Sequence, residues 1–254
     1  MLGLPPEVTA CLFDLDGVLT ETATVHNAAW AEVFDEYLRE RAARTGERFV
    51  PFDPDRDYYS YVDGRPRADG VRTFLASRGI VLPDGSPDDP PEAETVHGLG
   101  NRKNAVVLRL IRDRGVRAYP GSVAYVRAAR DAGLRRAVVS ASANCAEVLA
   151  AAGIADLLEV RVDGLVAAAE GLRGKPYPDT FLAAARRLGL APGQAAVFED
   201  AIAGVQAGHA GGFGYVVGVD RAGHADALRA HGADIVVRDL AELLDGVAVE
   251  GGAT

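Results

Sequence analysis

The sequence has little that would tie the chain to a disulfide scaffold, a membrane or a nucleic acid. Of 254 residues only two are cysteine, Cys11 in an apolar run and Cys145 at an expected helix start. Two such cysteines make no disulfide framework, and a reducing cytoplasm suits them. No apolar run approaches the ~20 residues of a membrane-spanning helix. Met1-Leu2-Gly3-Leu4-Pro5-Pro6 also lacks the basic start and long apolar middle of a signal peptide. A basic surplus is missing too: 27 Lys and Arg stand against 36 Asp and Glu, a net charge of −9. That leaves no broad cationic face for a nucleic-acid backbone. The expectation is a cytoplasmic, monomeric protein with a small-molecule partner and neither nucleic acid nor membrane as partner. An anionic substrate would have to be met by locally placed Lys and Arg.

What is present is enough apolar material, 48% of the chain, for one sizeable core and a smaller second domain. Its focus is residues 8–22, Val8-Thr9-Ala10-Cys11-Leu12-Phe13-Asp14-Leu15-Asp16-Gly17-Val18-Leu19-Thr20-Glu21-Thr22. A run that reads as a buried strand ends abruptly in two carboxylates spaced i, i+2, followed by glycine. In extended geometry Asp14 and Asp16 point the same way. They repel each other unless a cation sits between them, although either alone could serve only as a helix cap.

Beyond the motif the apolar period becomes helical. Val25, Ala29, Val33 and Tyr37, with Trp30, Phe34 and Leu38 one step round, predict a helix to about Ala43 that Gly46 stops. Residues 46–67 read as a loop with Tyr58, Tyr59 and Tyr61, then a helix from Asp69 to Ser77 and an exposed linker over 83–91. A long helix is expected from Arg102 to Arg114. From Tyr119 onward helices alternate with short β-branched runs. Strands are expected over Arg136–Ser140, Glu159–Val162, Ala196–Glu199, Tyr215–Val219 and Ile235–Val237, and the end from Asp245 reads as frayed. This alternation predicts an α/β fold: a doubly wound parallel-sheet, Rossmann-like core with an inserted all-helical cap domain. The expected division is 1–20 and 96–254 for the core and 21–95 for the cap.

Ligands of a doubly wound sheet bind beyond the carboxyl ends of its strands. The first strand ends at Asp14 and Asp16, the second at Ser140-Ala141-Ser142-Ala143-Asn144, and the fourth at Glu199-Asp200, with Gly174-Lys175-Pro176 between the third and fourth. Taken singly, these are a helix cap, a solvated lysine and an acidic helix start. Their common address is what points to a magnesium and phosphate site.

Asp14-Leu15-Asp16-Gly17-Val18, Ser140, Lys175-Pro176 and Glu199-Asp200 resemble, in order and spacing, the four motifs of the haloacid dehalogenase superfamily. Thr22, His26, Trp30, Arg67, Arg102-Lys103-Asn104 and Ser140-Ala141-Ser142 with Asn144 resemble its β-phosphoglucomutase subgroup. The resemblance implies a Mg²⁺-dependent phosphosugar mutase that interconverts β-glucose 1-phosphate and glucose 6-phosphate through an aspartyl-phosphate and a bisphosphate. It makes Asp14 the nucleophile and Asp16 the general acid/base, with Thr22 and His26 also catalytic. Asp14, the Asp16 carbonyl, Glu199 and Asp200 would hold Mg²⁺, and Ser140 and Lys175 the transferring phosphoryl. Arg67, Ser142 and Asn144 would hold a distal phosphate, with Trp30, Lys103 and Ala141 also lining the substrate. The chemistry is coherent: Mg²⁺ and Lys175 offset the repulsion between carboxylate and phosphoryl, and a covalent intermediate splits one hard step into two.

The chain departs from the subgroup pattern at Ala143 and Asp63, where that pattern has lysines, and at Ala201, where it has serine. Two fewer cations weaken the case for that substrate, and a sugar-phosphate phosphatase of the same superfamily is the alternative. Carbon–halogen hydrolysis would not need Asp16. A phospho-acceptor signalling domain would be uncapped, with its Asp on a middle strand. His97 reads as a packed or solvated residue.

Overall fold

The structure, a computed structural model, describes residues 2–244. The expected fraying from Asp245 lies outside them. The chain divides into two compact units, Met1–Glu21 with Val116–Thr254, and Thr22–Gly115.

The first unit is a six-stranded parallel sheet in the order β3-β2-β1-β4-β5-β6. Its strands are β1 (Ala10–Phe13), β2 (Arg135–Val139), β3 (Val160–Val162), β4 (Ala195–Glu199), β5 (Tyr215–Val219) and β6 (Ile235–Val237). β1 and β4 are buried at every position, as expected of strands covered on both faces. The central register pairs Phe13 with Phe198 and with Val138, so residues just past these positions become neighbours. Strand order reverses between β1 and β4, which sets the ligand crevice at their carboxyl ends. Phe13 stacks on Phe198 at 4.6 Å, and Tyr125 meets Phe13 edge-on.

Helices α4 (Pro120–Asp131), α5 (Cys145–Ala151), α6 (Gly164–Glu170), α7 (Asp179–Leu188), α8 (Ile202–Ala210) and α9 (Ala225–Ala230) connect the strands. Helix α6 has no counterpart in the sequence-based expectation. None of its residues is fully buried and only Val166 packs against the core, so its apolar stripe is weak; it starts because Asp163 Oδ1 accepts from the Leu165 and Val166 amides. Cys11 and Cys145 are both buried free thiols.

The second unit holds α1 (Ala23–Thr45), α2 (Arg67–Ser77) and α3 (Val96–Arg114), preceded at α2 by a π-helical turn over Tyr58–Val62. That turn falls in the stretch expected to be loop. Its core gathers Trp30, Phe34, Phe52, Phe74, Val96 and Leu99. Two expectations are corrected here. Helix α3 begins six residues before Arg102, because Thr95 Oγ1 caps it by accepting from the Gly98 amide. The second domain boundary falls at 115/116 rather than 95/96. The reason is packing: α3 puts Leu99 into the aromatic core and Val107 against Val25 and Ala29. The linker over 83–91 is stapled down, since Asn101 donates to the carbonyls of Pro87 and Asp89, and Arg102 to that of Pro91. No helix among the described residues is long and apolar enough to cross a membrane.

Candidate active site

Asp14 follows β1 directly, and its amide donates to Phe198 O at 2.9 Å, which locks it beside the end of β4. There the next residue, Glu199, is fully buried. Lys175 reaches this point from the loop before α7. Its Nζ contacts Asp14 Oδ1 and Glu199 Oε1 and donates to Val139 O at 3.2 Å. Glu199 Oε2 accepts from the Ala201 amide at 2.9 Å. The peptide bond Lys175–Pro176 is cis.

Burial works against the Lys175 ammonium, but Asp14 and Glu199 outweigh it and raise its pKa above the usual lysine range. Burial is also the largest effect on Asp14. With repulsion from Glu199 and Asp16 it pushes the carboxyl well above the usual carboxylate range, against the pull of Lys175. One ammonium shared by two buried carboxylates leaves negative charge uncompensated.

After Asp14 the chain turns tightly. Leu15 O accepts from the amides of Leu19 and Thr20, and the Gly17 amide donates to Thr20 O. Gly17 sits at φ +92°, and the Asp200 carboxylate lies where a side chain would be, with Oδ2 1.7 Å from an added Cβ. Asp16 therefore sits in a turn rather than on a strand, and its Oδ2 accepts from Ser140 Oγ at 3.5 Å. Ser140 Oγ in turn accepts from the Ser142 amide, and Ser142 Oγ from the Asn144 amide. The Ala141 carbonyl lies against Gly164.

Among the described residues no group of three or more His, Cys, Asp or Glu side chains forms a ready-made metal centre. The chemistry of the donors still fits a hard cation: four carboxylates, Asp14, Asp16, Glu199 and Asp200, stand at or just past the carboxyl ends of β1 and β4, where Lys175 pairs with two of them. Both oxygens of Glu199 are engaged, one by Lys175 and one by the Ala201 amide, so this carboxylate steadies Lys175.

Thr22, His26, Trp30, Arg67 and Lys103 belong to the second unit. Lys103 is buried, with Nζ 2.8 Å from His26 Nδ1 and 4.7 Å from the centre of the Trp30 ring. Thr22 is buried just before α1. Arg67 opens α2 and lays its side chain over Gly100 of α3. Burial lowers its pKa, and no carboxylate offsets this among the described residues.

One residue absent from the sequence expectation belongs with the first unit's loop. Arg221 Nε donates to Gly17 O at 3.0 Å. The signal was its place just past β5, the same carboxyl-end address as the other groups.

Fold and site together define a doubly wound α/β enzyme with an inserted helical unit. The chain belongs to the haloacid dehalogenase-like hydrolase family, whose model matches residues 8–212, and within it to the β-phosphoglucomutase-like subgroup. It is 59% identical over 247 residues to a β-phosphoglucomutase of Mycobacterium bovis, covering 96% of this chain and 94% of that one. With a β-phosphoglucomutase of Bacillus subtilis it shares 28% identity, covering 92% and 91% of the two chains. A crystal structure of β-phosphoglucomutase from Clostridium difficile superposes with a TM-score of 0.71 at 26% identity, covering 93% of each chain. The protein is an enzyme of the phosphotransferase/isomerase type.

Proposed function

We propose that the enzyme is a Mg²⁺-dependent phosphosugar mutase that interconverts β-glucose 1-phosphate and glucose 6-phosphate. Asp14 is the nucleophile. In its phosphorylated form it gives the phosphoryl group to the sugar's 6-hydroxyl while Asp16 takes that hydroxyl's proton. The product is a bisphosphate. After the bisphosphate reorients, Asp14 attacks the phosphorus at C1. The P–O bond to C1 breaks, and Asp16 returns the proton to the leaving oxygen.

Lys175 and Ser140 hold the transferring group, and Glu199 keeps Lys175 in place. Asp14, Asp200 and the Asp16 carbonyl would hold Mg²⁺, which supplies positive charge against the phosphoryl oxygens. His26, Lys103, Thr22 and Trp30 serve the sugar side, with Ser142, Asn144 and the Ala141 backbone toward the distal phosphate.

The observation that carries the mutase reading is Arg67, a partly buried guanidinium that no carboxylate neutralises among the described residues. A bisphosphate needs a second cation besides Lys175, and a guanidinium forks onto phosphate. The test is to incubate the enzyme with β-glucose 1-phosphate, Mg²⁺ and a trace of the 1,6-bisphosphate. Glucose 6-phosphate should form with little free phosphate. Release of phosphate as the main product would leave a phosphatase.

A further inference from the structure

The turn that carries Asp14 and Asp16 is held from within by hydrogen bonds among residues 15–20, but its Gly17 carbonyl points out of that network. A glycine at φ +92° has no side chain of its own to fix the peptide planes on either side. The carbonyl is taken by Arg221 Nε at 3.0 Å.

Arg221 is itself held on several sides. Its Nη1 donates to Arg238 O at 2.6 Å and to Asp239 Oδ2 at 3.2 Å. Its guanidinium lies over the Tyr119 ring, 3.7 Å from the centroid. Tyr119 returns to the same turn, because its amide donates to Leu19 O at 3.0 Å. The result is a closed circuit: Gly17, Arg221, Tyr119 and Leu19 brace the turn from two points. A planar, five-donor group fixed by hydrogen bonds at two edges and by a ring on its face cannot swivel. An ammonium in its place could hold the carbonyl but not the rest.

We infer that Arg221 is a positioning residue for the catalytic turn, acting through the Gly17 carbonyl to set the direction of the Asp16 carboxyl and the Asp16 carbonyl. This rests on the reading of Asp14 and Asp16 as the reacting groups. A misplacement of about 1 Å at such a group costs on the order of 100-fold in rate, so the brace should be visible in turnover rather than in substrate affinity.

The experiment compares wild type, Arg221→Ala, Arg221→Lys, Asp239→Asn and Asp14→Asn. The substrates are β-glucose 1-phosphate and p-nitrophenyl phosphate, with rates taken per folded molecule and thermal midpoints measured alongside. Arg221→Ala should lose roughly 100-fold in kcat on both substrates with KM little changed, and added ethylguanidinium should restore part of it. Arg221→Lys should fall between, and Asp239→Asn should lose less than Arg221→Ala in the same parameter. If Arg221→Ala does not fold, the Lys and Asn variants carry the same comparison. Unchanged kcat in the Arg221 variants, or a stability loss with no kcat loss per folded molecule, overturns the inference. If wild-type turnover survives Asp14→Asn, it is the catalytic reading of the turn that fails instead.

Discussion

The Lys175 ammonium sits between Asp14 and Glu199 and contacts one carboxylate oxygen of each, in a place where all three side chains are almost wholly removed from water. Lys175→Met keeps the bulk of the side chain but strands two buried carboxylates. Removing one partner of a buried ion pair costs about 3–5 kcal/mol. The variant should lose stability on that scale in denaturant titrations and lose phosphoryl transfer together with it. A stable variant that keeps its activity would take Lys175 out of both roles.

Asp14 gives the opposite sign. Burial, then Glu199 and Asp16, raise its folded pKa despite Lys175. Below the unfolded value of about 3.9 the group is protonated in both states and contributes nothing. Above it the unfolded chain ionises first, so stability falls as pH rises until the folded group ionises as well. Above the unfolded value the raised pKa of Asp14 therefore costs stability. Asp14→Asn, in chelator, should melt above wild type at pH 7–8, and the gap should close as the pH is lowered through the acid range. The same variant should have no phosphoryl transfer. A neutral-pH midpoint below wild type would contradict this account.

Two glycines make room for carboxylates. Gly17→Ala meets Asp200 Oδ2 at 1.7 Å and adopts φ +92°, so Asp200 must move. The half-saturating Mg²⁺ concentration should rise in a metal titration of activity. Gly204, inside α8, has Glu199 Oε1 at 1.8 Å from an added Cβ. In a helix interior Gly→Ala ordinarily stabilises by about 1 kcal/mol. A net loss of stability and activity in Gly204→Ala would therefore report the displaced Glu199, while a gain would show that the carboxylate can step aside.

His26 and Lys103 fix a tautomer. An ammonium only donates, so with Nζ 2.8 Å from Nδ1 the acceptor must be Nδ1, and the ring proton sits on Nε2. The ¹⁵N shifts of His26 should show a protonated Nε2 and a bare Nδ1 near neutral pH, and Lys103→Met should release that preference. A spectrum with the proton on Nδ1 would reverse the assignment.

Which parts of this were legible in the sequence follows from where the information lies. The first strand, β5, β6 and α8 were readable because their apolar runs end sharply in charge, Gly or Pro. Helix α6 was not, since it has no fully buried residue, packs mainly through Val166 and starts at the Asp163 cap. The start of α3 was hidden because His97, Gly98 and Gly100 interrupt its apolar stripe, although Thr95 carries the cap. The site's address was legible for Asp14, Asp16, Ser140, Glu199 and Asp200, which stand at or just past strand ends, whereas Lys175 comes from the loop between α6 and α7. The pairing of Lys175 with Glu199 was not legible. It depends on the Phe13–Phe198 register, which brings Asp14 level with Glu199 across the reversal of strand order. Arg221 was missed for a similar reason: its partner, a glycine carbonyl 204 residues away, has no signature in sequence.

The distal-phosphate role proposed for Arg67 separates the mutase reading from the phosphatase reading. Its side chain runs over Gly100, with Cγ 3.3 Å from the position of an added Cβ, and no carboxylate shares its charge among the described residues. A mutase substrate carries a second phosphate in the bisphosphate stage, whereas p-nitrophenyl phosphate has none. Arg67→Ala should therefore cut isomerisation of β-glucose 1-phosphate at least about tenfold more than hydrolysis of the aryl phosphate, a split that marks lost binding of the distal group. Arg67→Lys should recover part, because a point charge remains without the fork. Gly100→Ala should shift the guanidinium by a few tenths of an ångström and produce a milder version of the same selective loss. Equal loss on both substrates, or none on either, would remove Arg67 from the distal site and leave the enzyme a phosphatase.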